Sequence, residues 1–234
     1  MKKVLEIMTS LLAVAVLLSA CARNQSDSEV AAQRITRADV EIAGNEVVRD
    51  DEIIEPLTEE YLRSLPETSQ DDFRFGERQD GLYVNGYNGS EKIVVIPANC
   101  NGVEVVGIAS YSFAENDSLC AVVLPDSVKV VETGAFGGSR NLETVVLSEQ
   151  LSVIDDYAFL QCEALKCVTF APNLIEIGAC AFTATKITEI ELSATLTEIS
   201  PSAFYDVDHP TIISESGSYA QTFAEENGIE FRVK

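Results

Sequence analysis

The stretch Pro125-Asp126-Ser127-Val128-Lys129-Val130-Val131-Glu132-Thr133-Gly134-Ala135-Phe136, followed by Leu142-x-x-Val145-x-Leu147, recurs in outline along the second half of this chain. Phe136 has counterparts at Phe113, Phe159, Phe182 and Phe204, at intervals of 23, 23, 23 and 22 residues. Other columns keep the same phase. Eight residues before each Phe stand Val105, Val128, Leu151, Leu174 and Leu196; five before stand Ile108, Val131, Ile154, Ile177 and Ile199. A small residue always precedes the ring: Ser112, Ala135, Ala158, Ala181 or Ala203. Leu119, Leu142 and Leu165 follow six residues after their Phe, and Ile187 follows five after Phe182, so one deletion accounts for the short interval. A fixed period of this length signals stacked coils. One coil cannot bury its apolar edge alone. A second coil about 4.8 Å away pairs the strands and turns each apolar column into a continuous interior ladder. The expected fold is therefore β-rich, with one strand in every ~23-residue repeat.

The ends of such a stack need lids. Residues 81–96 read as a β-hairpin cap, because Leu82-Tyr83-Val84 and Ile93-Val94-Val95-Ile96 flank a turn rich in Asn and Gly. Residues 218–227 read as a short capping helix. Ser218 and Gln221 fit a capping box, Gly228 suits the position after the helix, and Tyr219, Phe223 and Ala220 or Ala224 would share a face. Ile229 to Val233 alternates as a final strand.

These units resemble the BspA-type leucine-rich repeat of bacterial surface proteins. The likeness extends to Gly81-Leu82-Tyr83-Val84-Asn85-Gly86-Tyr87-Asn88-Gly89, to Asn101-Gly102 and to the segment from Gly217 to Ile229, and covers about residues 75–234. Departures are local. Ser148 and Ser193 replace Pro125, Phe170-Ala171-Pro172 moves the proline by one, and the Cys common after the Phe occurs once, as Cys162. The resemblance implies a leucine-rich repeat solenoid and adhesion to host matrix proteins.

Lys2 and Lys3, an apolar run from Leu11 to Leu18, and Leu18-Ser19-Ala20-Cys21 read as a signal peptide over residues 1–20. The run is well short of the ~20 residues that span a bilayer. Leu-Ser-Ala-Cys resembles a bacterial lipobox, which implies lipidation at Cys21 and anchoring by two or more acyl chains. Residues 21–75 carry acidic clusters and no repeat column, and read as a largely disordered tether. Within it, Thr58 to Leu65 would form two helical turns ending before Pro66. The repeat domain then spans residues 76–234.

A formal net charge of −22 excludes nucleic acid, whose binding requires a basic face. The charge serves solubility first; the alternative is attraction of basic partners or Ca²⁺, although no Ca²⁺-loop motif is present. Cys100, Cys120, Cys162, Cys167 and Cys180 occupy different repeat columns, so no disulfide framework is expected. His209 is the lone histidine, and no nucleophile elbow or phosphate loop occurs. Asp155-Asp156 and Glu225-Glu226 are adjacent pairs on a stack with a filled core, not carboxylates across a cleft. No enzyme activity, cofactor or metal site is expected.

Function then falls to the outer surface. Val95, Val123, Val146, Thr169 and Glu191 form one outward strand ladder, and Ala121, Thr144, Cys167 and Glu189 a second. The expectation is a lipid-anchored, extracytoplasmic module on the bacterial membrane or cell surface, with a monomeric head binding a host or bacterial protein through this face. The strip Val95-Val123-Val146 is the candidate docking stripe. A carbohydrate binder is the alternative, and Tyr83, Tyr87 and Tyr111 are its local aromatic cluster; a non-binding envelope spacer is the third reading.

Overall fold

The Phe columns build a solenoid. In the computed structural model residues 58–234 are described, all within one unit, Leu57–Lys234. The signal segment, Cys21 and the tether up to residue 57 lie outside the described residues. In chain order the elements are α1 (Glu59–Ser64), a 3-10 turn (Gln70–Asp72), β1 (Phe73–Arg78), β2 (Gly81–Tyr87), β3 (Ile93–Val95), β4 (Asn99–Cys100) and β5 (Val103–Ile108). Next come β6 (Ala121–Val123), β7 (Val130–Val131), β8 (Thr144–Val146), β9 (Val153–Ile154), β10 (Cys167–Thr169) and β11 (Glu176–Ile177). The chain closes with β12 (Glu189–Glu191), β13 (Glu198–Ile199), β14 (Thr211–Ser214), α2 (Tyr219–Asn227) and β15 (Glu230–Val233).

Each coil has three sides. One side joins the first wall, where β2, β5, β7, β9, β11 and β13 run parallel and β1 adds antiparallel at the edge. A second side joins the other wall, in the order β10-β8-β6-β3. The third side is a turn segment that carries the Phe. Val122, Val145 and Ile190 point inward and are fully buried, as the alternation requires. The rings stack through the middle: Tyr87, Phe113, Phe136, Phe159, Phe182 and Phe204 follow one another at centroid separations of 5.0 to 5.7 Å. Phe223 of α2 closes the stack edge-on at 6.4 Å from Phe204.

The turn segments explain the small residue before each Phe. The amide of Phe113 donates to the Ala135 carbonyl, Phe136 to Ala158, Phe159 to Ala181 and Phe182 to Ala203, at 2.8 to 2.9 Å. The Ala side chains there are fully buried between coils, and Ser112 of the same column is buried too. Turning the chain around the ring takes two left-handed residues. Two before the Phe these are Tyr111, Gly134, Tyr157 and Cys180; two after, they are Glu115, Gly138, Gln161, Ala184 and Asp206, all with φ between 53° and 76°. Glycine adopts this conformation freely and other residues pay for it.

The caps differ in part from expectation. A hairpin covers the N-terminal end, but it is β1 with β2, joined at Gln79-Asp80, not residues 81–96. β2 and β3 belong to different walls: β2 pairs with β5, and β3 with β6. Two apolar runs separated by Asn and Gly describe a coil corner as well as a hairpin, which is why the pattern misleads. Residues 58–75, assigned from sequence to the tether, lie on the solenoid. At the other end Ser218 Oγ accepts from the Gln221 amide, Gly228 is left-handed at φ 67°, and Ala220, Phe223 and Ala224 are buried. Tyr219 is off that face and 40% exposed.

Candidate binding surfaces

The outward strand ladders form in register for four coils. Val95, Val123, Val146 and Thr169 are successive partners, as are Ile93, Ala121, Thr144 and Cys167. The ladders then break, because β12 pairs with β14, which pairs in turn with β15, and not with β10. Glu189 and Glu191 therefore belong to a separate patch, where Glu189 pairs with Arg232 at 2.9 Å and Glu191 with Lys234 at 3.2 Å. The break falls where the connection is one residue short and where Phe170 replaces the Leu of earlier coils, its ring edge-on to Phe182 at 5.4 Å.

The apolar end of the wall is not open. Helix α1 lies across it, with Leu62 fully buried against Ala121, Val123 and Val146, and with Tyr61, Leu65, Ile93 and Val95 around the contact. Ala121 and Val146 are at most 1% exposed, Val123 4% and Thr144 8%. The expected docking stripe is thus an interior surface, and its occupant is the chain's own helix. Thr58 caps α1 by accepting from the Tyr61 amide. Arg63 bonds Asp126 and the Leu147 carbonyl at 3.2 and 3.1 Å. Thr68 exchanges two hydrogen bonds with the backbone of Val95, extending the edge of β3. Of the ladder residues, Thr169 and Glu191 are the exposed ones.

The aromatic cluster at the N-terminal end is dispersed. Tyr83 is buried, its hydroxyl donates to Asp80, and the Arg78 guanidinium sits 3.7 Å above its ring. Burial raises the Tyr83 phenol, and it drives Tyr87, inside the ring stack, up to about 12. Arg78 also pairs with Glu132, which accepts from the amide and hydroxyl of Ser110. The hydrogen bond from Arg78 holds the Glu132 carboxyl below its ordinary value. This network fastens the cap hairpin to the first two coils. Tyr111 alone of the three is open, at 65% exposure. Two exposed tyrosines that the strand-based reading passed over, Tyr157 and Tyr205, share its turn side. Carrying the period from Tyr111 through Gly134 would have found Tyr157.

Polar groups between coils are fasteners. Asp155 accepts from the Thr133 hydroxyl at 2.7 Å, and Asp156 from the Ala179 amide. Three residues after the Phe, the Ser139 hydroxyl and the Cys162 thiol each donate to the carbonyl of the preceding coil's Phe, at 2.8 and 3.2 Å. Cys162 is fully buried and its thiol is pushed up to about 12, so it is inert as a nucleophile. Cys100 and Cys180 are half-buried. His209 is 97% exposed beside Asp208.

A coil with two strand walls, a ring in its interior and a left-handed turn on either side of that ring is a specific pattern. Residues 90–211 match the model of the BspA type leucine rich repeat region in six copies. The chain belongs to the BspA-type leucine-rich repeat family. It is 28% identical to a leucine-rich repeat protein of T. pallidum, with a TM-score of 0.60, over 63% of this chain and 71% of that one. It is 23% identical to a leucine-rich repeat protein of Bacteroides capillosus, with a TM-score of 0.45, over 64% and 98%. A leucine rich cell surface protein of Faecalibacterium prausnitzii is 21% identical, with a TM-score of 0.38, over 66% and 56%. Among curated proteins no sequence matches it. Leucine-rich repeat domains are generally protein-interaction modules and generally non-enzymatic. Among the described residues no helix is long and apolar enough to cross a membrane.

Proposed function

We propose that this protein is an extracytoplasmic recognition module, tethered to the bacterial membrane by a lipid on Cys21, whose solenoid binds a host or bacterial protein. The observation that carries the reading is the filled interior. Seven rings from Tyr87 to Phe223 occupy the axis of the coil, so ligands meet an outer wall and not a cavity. Family membership supports a protein as the ligand, since repeat solenoids present extended faces to partners. The lysines, apolar run and Leu-Ser-Ala-Cys21 at the start of the chain support the address. On the strand side, the contact surface shifts from the valine strip to the part beyond α1, at Thr169 and Glu191.

Labelling with radioactive lipid precursor tests the address. Incorporation is expected in the full chain and is lost in Cys21→Ser; equal labelling of both would overturn it. Side-by-side pull-down and glycan-array binding with the full chain test the ligand class. Specific protein capture is expected, and binding to glycans alone would overturn the reading.

A further inference from the structure

The five turn segments 109–117, 132–140, 155–163, 178–186 and 200–208 lie one above another on the side of the solenoid that carries the Phe residues. They hold eight carboxylates against two cations, Arg140 and Lys186; Glu132, Asp155 and Asp156 are engaged within the solenoid, which leaves Glu115, Asp117, Glu163, Asp206 and Asp208 for a partner. They also hold three of the chain's seven tyrosines, and all three are open: Tyr111 is 65% exposed, Tyr157 42% and Tyr205 71%. Two of them stand where the backbone disfavours them. Tyr111 and Tyr157 have φ of 58° and 60°, in a column that Gly134 fills in the coil between at φ 61°. The coil itself demands the left-handed turn, so what singles out these two positions is a bulky exposed ring where Gly134 shows that glycine serves. The Tyr111 ring rests on the next coil: a Cβ added to Gly134 would lie 2.4 Å from its Cε1. Gly134 thus makes room for the ring, whose remaining surface faces solvent.

We propose that this turn side, led by Tyr111 and Tyr157, docks a Lys/Arg-rich segment of the partner protein. The inference rests on the protein-binding reading above and names a second surface and a partner chemistry for it. Tyrosine faces attract cations, and tyrosine is enriched at interface anchors. Carboxylates only accept hydrogen bonds, while Lys and Arg only donate them, so the chemistry fits a cationic peptide. The net charge of −22 repels acidic partners. Tyr111 and Tyr157 are two coils apart, roughly 10 Å, which is about three residues of extended chain.

The test uses the full chain, immobilised, against an Arg/Lys-rich nonapeptide, its Gln-substituted counterpart and a panel of neutral glycans. Asn tolerates the left-handed region, so the Tyr111→Asn/Tyr157→Asn double variant keeps its fold, which a thermal melt checks. The wild type is expected to bind the basic peptide, more weakly as salt rises, and not the Gln peptide. The double variant is expected to bind about tenfold more weakly, with Glu226→Gln on the exposed side of α2 unchanged. No binding of the basic peptide by the wild type, or equal binding by the double variant, would overturn the proposal. If the double variant still captures a protein partner at full affinity, only this surface falls. If the tyrosines prove necessary for a glycan and no protein is captured, the protein-binding reading falls with it.

Discussion

Ala184 stands two residues after Phe182 with φ 58°, in the column where coil two has Gly138 at φ 76°. An Ala methyl gains nothing there that offsets a left-handed backbone. Ala184→Gly is therefore expected to raise stability by about 1 kcal/mol, read from a denaturant midpoint. The same change at Tyr157 would remove a ring as well as strain, so the two sites separate conformational cost from side-chain use. Cys162 makes a second case. Its thiol goes from an ordinary value of 9.0 to about 12 through burial, so the folded state holds its proton after the unfolded state has released it. Over that window the unfolded state binds fewer protons, and stability falls as pH rises. The stabilising term is complete below pH 9 and drains away toward about pH 12. The thermal midpoint of the wild type should drop across this range more steeply than that of Cys162→Ser, whose hydroxyl still reaches the Phe136 carbonyl position but does not titrate.

Helix α1 has six residues, too few to be stable by itself. It holds because Thr58 caps it, Arg63 ties it to the turn after β6 and to the Leu147 carbonyl, and Leu62 is sealed against β6 and β8. Leu62→Ala should cost about 2–4 kcal/mol of docking and expose the segment to protease while leaving the coils intact. Val146→Ala strikes the same contact from the other side. Once Leu62 is gone it should add little, so the double variant falls short of the sum, a deficit that a double-mutant cycle measures. Val123→Glu, a harmless change on an open wall, here buries a carboxylate under the helix and should release it.

Each coil touches mainly its two neighbours, so the solenoid behaves as a one-dimensional chain of interfaces. Phe159 lies at the centre of the stack, parallel to Phe136 with 1° between ring planes and 5.2 Å from Phe182. Phe159→Ala is expected to cost about 3–5 kcal/mol and to uncouple the halves on either side. Urea unfolding followed by circular dichroism should then broaden, with a lower m-value than the wild type. A sharp transition with unchanged slope would mean that the coils unfold as one unit regardless of the central ring.

The interior was readable from sequence because every coil repeats the same short-range problem: ring, small residue, aliphatic columns and strand recur at one interval, and each column becomes a buried ladder. The Phe stack follows from that periodicity, the Ser218 and Gly228 caps follow from local helix-end signals, and the family follows from the resemblance of the units to the BspA-type repeat. What covers the outer wall did not. Val123 and Val146 carry the same sequence signal whether solvent, a partner or the chain's own helix lies above them, and α1 reaches them through one buried Leu outside any repeat. The cap hairpin likewise required knowing that β2 and β3 part into different walls. Which apolar columns are interior is a local, repeated question; which exterior face stays open depends on a few long-range contacts of Leu62, Arg63 and Thr68, and only the tertiary structure decides it.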